Sequence, residues 1–149
     1  MASEAFSGHG TKLKRVVGVS SDSSSAQYSL IGELIDITGP NMTKETIDVT
    51  NKDSVNRFRE FLSGLRDGGE ITVTCNFVKD AFLHVKQSYM MDILETWIIV
   101  LPDTDNTEIS FSGTVTSLGM SNPLTDKVSA DFTIKISGEI TITGDSSGI

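Results

Sequence analysis

The sequence predicts a mainly β domain, a β-sandwich or barrel, with one α-helix packed on the sheet and a long inter-strand loop. Three observations carry that reading. Period-two alternation recurs along the chain and is cleanest near the C-terminus. There Val128, Ala130, Phe132, Ile134, Ile136, Ile140 and Ile142 alternate with Ser129, Asp131, Thr133, Lys135, Ser137, Glu139 and Thr141. Helical spacing stands out in one stretch, Lys79 to Leu94. Residues 38–69 separate two strand-like runs by far more than the roughly 2–5 residues of a hairpin loop. High Ser, Thr and Gly content agrees with strands joined by many turns.

In order, residues 1–10 contain Gly8-His9-Gly10 and few groups able to pack, and read as a flexible N-terminal arm. Residues 11–149 read as a single domain. Lys12 to Val19 is a short peripheral strand, and Ser20 to Ser25 a polar loop. Tyr28 to Asp36 is one aliphatic strand, and Glu70 to Phe77 a second. In the second, Ile71, Val73, Cys75 and Phe77 share one face, and Glu70, Thr72, Thr74 and Asn76 the other. The loop between them carries Met42, Ile47, Val49, Phe58, Phe61, Leu62 and Leu65. Disordered segments lack apolar residues of that size and number. Its charges balance, with Lys44, Lys52, Arg57, Arg59 and Arg66 against Glu45, Asp48, Asp53, Glu60 and Asp67. Two readings stay open here: a surface that docks on another protein, or a lid packed on its own domain.

The helix is expected over residues 80–94. Phe82, Val85, Tyr89 and Ile93 form its apolar stripe, widened by Leu83, Met90 and Leu94, with Asp80 near the free N–H groups of the first turn. Thr96 to Leu101 is an apolar strand ending in the turn Pro102 to Asn106. Ile109, Phe111, Gly113 and Val115 alternate with Ser110, Ser112, Thr114 and Thr116. After a turn near Asn122-Pro123, one long strand runs from Val128 to Thr143, dry on one face and wet on the other. A one-residue slip would carry its isoleucines into water, so the register is well specified.

A chain of 149 residues is long enough to bury a core. No apolar run approaches the roughly 18 residues of a membrane span, and the first residues lack the pattern of a signal peptide. The expectation is a soluble product made in a cytoplasm. The formal net charge of −8 argues against ordinary nucleic-acid binding. Residues 71–149 hold four Lys/Arg and ten Asp/Glu, so most of the negative charge lies there. Cys75, the one cysteine, excludes an intrachain disulfide and reads as a small buried hydrophobe. His84 falls beside the helix stripe, and the other histidine, His9, lies in the arm, so neither has partners for a metal or a general base. Asp103, Asp105 and Glu108 resemble part of a calcium loop but lack its Gly and ligand spacing, and read as a solvated turn. No nucleophile elbow, phosphate loop or His-Glu-x-x-His occurs. No catalytic residue, cofactor or metal is expected.

The run Ile37-Thr-Gly-Pro-Asn-Met-Thr-Lys-Glu-Thr-Ile-Asp-Val-Thr-Asn-Lys-Asp-Ser54 is followed by Phe58-Arg-Glu-Phe-Leu-Ser-Gly-Leu-Arg-Asp-Gly-Gly-Glu-Ile-Thr72. Together these resemble the major tail tube proteins of long-tailed, lambda-like bacteriophages, the siphovirus type. The pattern is a Gly-Pro turn, Ile-Asp-Val-Thr, a Ser, an aromatic-rich run, and a turn into a strand. Looser similarity extends over residues 11–143, through Trp97, Leu101-Pro-Asp103, Ser112 to Thr116, and Asp126 to Gly138.

The resemblance implies a β tail-tube fold and a structural virion protein that polymerises as stacked hexameric rings into a hollow tube for DNA. Adjacent subunits would pair edge strands. The loop 38–69 would reach a neighbouring subunit or ring through Met42, Ile47, Asp48, Val49, Asp53, Arg57, Phe58, Arg59, Phe61 and Leu65. The lumen candidates are Ser110, Ser112, Thr114, Thr116, Asp131, Lys135 and Glu139, whose acidic groups would keep DNA from sticking. Implied partners are further copies, a tape-measure protein, tail tip and terminator proteins, and DNA in transit. No membrane insertion is implied, and assembly would occur in the host cytoplasm. Two rivals remain: the inner tube protein of a contractile tail or injection machine, and a monomeric adhesion or decoration domain.

Overall fold

The computed structural model describes residues 5, 7–19, 26–91 and 93–143, with backbone alone for 17–19 and 26–29. The Ser20 to Ser25 loop and most of the expected N-terminal arm lie outside the described residues. The strands are β1 (Lys12–Val19), β2 (Ala26–Ile31), β3 (Leu34–Thr38), β4 (Thr43–Asp48), β5 (Phe61–Asp67) and β6 (Glu70–Asn76). After the helix α1 (Lys79–Met90) come β7 (Glu95–Val100), β8 (Glu108–Ser121), β9 (Ser129–Ile136) and β10 (Thr141–Ile142). The main sheet runs β2-β1-β7-β8-β9-β6-β3, with β10 paired to β8, and β4 and β5 form a separate two-stranded sheet. Every pairing is antiparallel.

The expected strand Tyr28 to Asp36 is two strands. Glu33 takes a left-handed backbone, φ 55°, and bends the chain between Ile31 and Leu34. That bend closes the sheet. β2 and β3 stand at opposite ends of the strand order. In a flat sheet the two ends would lie roughly 29 Å apart. Three Cα steps from Ile31 to Leu34 span at most roughly 11 Å. The sheet therefore curls on itself, and one chain segment serves both of its ends, a strand that changes sheets at a bend. A small void agrees with this: Ile31 of β2 shares it with Cys75 of β6, Phe132 of β9 and Ala81, Phe82 and Val85 of α1.

The core lies inside this curl, capped by the helix. Trp97, Phe132, Leu13, Ile31, Ile71, Ile134 and Val73 are fully buried, and the Trp97 and Phe132 rings pack 6.3 Å apart. The alternation expected for Ile71, Val73 and Cys75, for Phe111, Gly113 and Val115, and for Ala130, Phe132, Ile134 and Ile136 is the burial pattern observed. Burial pushes the Cys75 thiol pKa up, as suits a small core hydrophobe.

Four further elements differ from expectation. β1 is interior rather than peripheral, lying between β2 and β7. Arg15 on β1 is buried and its guanidinium meets Glu95 on β7 at 2.6 Å. Arg15 Nη1 also donates to the His84 carbonyl at 3.2 Å, and the Ser88 hydroxyl donates to the second Glu95 oxygen. This network turns the helix so that Ala81, Val85 and Ser88 face inward. Tyr89, Leu83 and Met90 of the expected stripe are exposed. The helix stops at Met90, and Ile93 and Leu94 lead, exposed, into β7. β8 is longer than expected, because a bulge between Val115 and Ser117 brings Leu118 and Met120 opposite Phe132 and Ala130. The long C-terminal strand ends at Ile136. Gly138 turns the chain at φ +92°, and Thr141 and Ile142 return to pair with Ser110 and Ile109.

Gly113 on β8 leaves no room for a side chain against β9. A Cβ there would stand 2.7 Å from the Lys135 carbonyl oxygen and 2.8 Å from Ile134 Cγ2. Gly113→Ala is expected to lower unfolding stability by about 1–3 kcal/mol in urea titrations, since backbone must shift to admit it. Glu95→Ala leaves the Arg15 charge buried and is expected to cost about 3–5 kcal/mol. The double change Arg15→Met with Glu95→Leu should recover most of that loss. Equal, additive losses in the two single variants and the double would show that the pair is not coupled.

Candidate assembly surface

The expected loop 38–69 is a β-hairpin arm. Thr43 pairs with Asp67, Lys44 with Arg66, Thr46 with Ser63, Ile47 with Leu62 and Asp48 with Phe61, with a bulge between Lys44 and Thr46. Every residue of β4 is exposed, and in β5 only Gly64 is half-buried. Cross-strand partners share a face, so Ile47 and Leu62 lie on one side of the arm and Phe61 on the other. A two-stranded ribbon has no second layer of its own and is marginal when isolated. Apolar groups on both of its faces call for covering from outside.

The tip is built by polar side chains. Asp48 accepts from the Thr50 N–H at 2.9 Å, and Asn51 Oδ1 accepts from the Asp53 N–H at 2.8 Å. The Ser54 hydroxyl donates to Glu60 at 2.9 Å, and Thr50 Oγ1 accepts from the Glu60 N–H at 2.8 Å. Asn56 and Arg57, both left-handed, then reverse the chain. Because polar bonds hold the tip, its apolar side chains are left outside: Phe58 is 72% exposed and Val55 71%.

At the root, the two ends of the arm nearly touch. Gly39 and Gly69 have φ +110° and +77°, and a Cβ on either would collide with the backbone of Glu70 or Asn41. Asp67 accepts from the Gly69 N–H at 2.8 Å and from Lys135 Nζ at 3.4 Å. The Gly69 bond, then Lys135, holds the Asp67 carboxyl below the usual carboxylate range, and Thr50 does the same for Asp48.

Of the residues expected on this surface, Met42, Ile47, Val49, Phe58, Phe61 and Leu65 are exposed along the arm. Arg57 and Arg59 flank Phe58, exposed and outside the ion pairs found among the described residues. Asp48 and Asp53 belong to the hydrogen-bonded tip. Val55 was not expected; one β-branched residue among polar neighbours gives too slight a signal.

The polar face of the main sheet is the second surface. Thr114 stands opposite Lys135, which stands opposite Glu70. Asp131 lies between Gly119 and Thr74, and Asp36 of β3 follows Thr74. Ser110 and Ser112 continue this face toward β7. Thr116 sits in the bulge, and Glu139 lies in the turn after Gly138, off the sheet. Sequence alternation put Glu70, Thr72 and Thr74 on the polar side of their strand but did not join them to this face, and it did not place Asp36.

Asp103 accepts from the Thr107 N–H at 2.7 Å and from the Thr107 hydroxyl, which hold its carboxyl below the usual range. It closes the turn before β8. Among the described residues no group of three or more His, Cys, Asp or Glu is placed to hold a metal ion.

A family model described as lambda phage tail tube protein, TTP, matches residues 15–143. No curated protein sequence matches the chain. Among solved structures, the fold resembles a chain in the tail of an empty GTA particle, refined with C6 symmetry, at TM-score 0.73 and 20% identity, covering 93% of this chain and 99% of that one. It resembles a chain of the anti-feeding prophage baseplate at TM-score 0.66 and 10% identity, covering 97% and 98%. It also resembles the SPP1 tail tube at TM-score 0.62 and 12% identity, covering 91% and 77%.

Lowered folded-state pKa values make the Asp67 and Asp48 contributions complete above the unfolded value of roughly 3.9, and lost as pH falls through the folded values. In an NMR titration, the Gly69 and Thr50 amide shifts are expected to move with midpoints below roughly 3.9. Midpoints at or above that value would contradict the bonds described.

Proposed function

The chain belongs to the lambda phage tail tube protein family, a structural component of the virion tail, and from that premise we propose that its copies close into six-fold rings that stack into a hollow tube. The observation that carries the proposal is the hairpin arm with apolar side chains on both faces. Such an arm gains a second layer only when another subunit covers it. Among the described residues β2 and β3 also end the sheet order and leave unpaired edges, which pairing between neighbours would satisfy.

In this reading the polar face bearing Ser110, Ser112, Thr114, Asp131 and Lys135 lines the channel, with Thr116 and Glu139 at its margins. Its carboxylates repel a polyanion in transit. The arm residues Met42, Ile47, Val49, Phe58, Phe61 and Leu65 make the subunit contact. Tape-measure, tip and terminator proteins start and stop growth, and the rings assemble in the host cytoplasm before joining the virion. The role is structural and involves no reaction. Because contractile injection systems use related tube folds, an outer sheath partner would move the protein to that class.

Negative-stain microscopy over a concentration series tests this. Hollow stacked rings are expected for the natural chain. Phe61→Asp is expected to raise the concentration needed for assembly about thirtyfold or more. Thermal stability should hardly change, since the side chain is exposed in the subunit. Natural chain that stays monomeric, even on a purified tail tip, would overturn the proposal. A tube reconstruction with Asp131 on the outer wall would overturn the channel assignment alone.

A further inference from the structure

A cleft of about 540 Å³ opens between β3 and the paired strands β7 and β8. Ile35, Asp36 and Ile37 of β3 form one wall, Ile99, Leu101 and Ile109 the other, and residues 8–11 close one side. We infer that this cleft receives the tip of another copy's hairpin arm, with Phe58 as the inserted knob and Arg57 and Arg59 beside Asp36. The inference rests on the ring-and-tube reading and names where the arm binds.

Four observations carry it. Half of the cleft's lining residues are apolar, and a ring such as Phe58 gains from burial against Ile35, Ile37, Ile99, Leu101 and Ile109. Asp36 lines the cleft and is exposed, the one carboxylate among its lining residues. Arg57 and Arg59 bring the complementary sign on either side of the knob.

The third observation concerns reach. Gly39, at the root of the arm, itself lines the cleft. A six-residue ladder is roughly 20 Å long, and the arm's backbone pairing holds it extended. Its own tip therefore stands a ladder's length from its own cleft, and only another copy's tip can enter. The fourth is symmetry. A knob at one place and a pocket at another make a heterologous contact, which propagates from subunit to subunit into a ring or a helical array.

Disulfide trapping tests this on the full chain, in a Cys75→Ala background. Val55→Cys, exposed beside the knob, is placed on one batch, and Ile35→Cys, exposed in the cleft, on another. Leu124→Cys, fully exposed in the turn after β8, is the control partner. On mixing and oxidation, the 55–35 covalent dimer is expected to exceed the 124–35 dimer about tenfold or more, as for thiols held together by an interface. Arg57→Glu with Arg59→Glu is expected to weaken assembly about tenfold or more, and Asp36→Arg to restore part of it.

Tubes that form without the 55–35 dimer would overturn the cleft assignment while leaving the tube reading in place. Tubes unaffected by the double charge reversal would contradict the pairing with Asp36. Neither tubes nor dimer at any concentration would end both readings. A mass increment on the native subunit that vanishes on denaturation would mean that a small molecule fills the cleft, and would overturn the inference.

Discussion

The two-residue link between Ile31 and Leu34 is the constraint on which the architecture depends. It joins the opposite ends of the sheet order through Gly32 and Glu33. The sheet has to curl until its ends meet, and the core forms inside the curl. Closure is by chain continuity and not by a ladder, since β2 and β3 do not pair with each other. The barrel is thus complete as a shell around its core but open in its backbone hydrogen bonding. That combination yields a stable subunit that still has edges to offer.

A second constraint is the Arg15–Glu95 pair. It ties β1, β7 and the helix through one charged network. Buried ion pairs add little net stability compared with apolar residues of the same size, but they penalise wrong arrangements heavily. Here the pair sets the rotation of the helix, turning Ser88 inward and Tyr89 outward. The outer helix face, with Leu83, Tyr89 and Met90, is left uncovered in the subunit as a result.

The sheet was legible in the sequence wherever alternation was strict. The faces of β6, β8 and β9 follow directly from it, as does the burial of Cys75. Legibility failed where backbone geometry overrides the pattern. Nothing in Tyr28 to Asp36 announces the left-handed Glu33, and the Val128 to Thr143 alternation continues past the turn at Gly138. The helix stripe misled because a buried arginine, not an aliphatic group, sets which side faces in. In the arm, the apolar residues were visible, but their arrangement on the two faces of a ribbon was not. The alternation there is broken by a bulge and by polar tip residues that only tertiary geometry brings together.

The polar tip has a further consequence. A loop that orders only on contact must surrender its conformational freedom at that moment. Here the tip's hydrogen bonds have already met that cost in the free subunit. A rigid arm projecting from one region and a recess in another also make the two ends of any chain of subunits unlike. One end would display arms and the other empty recesses. Growth would then have a direction, and the proteins that cap the two ends would need opposite surfaces, one shaped as a recess and the other as a knob.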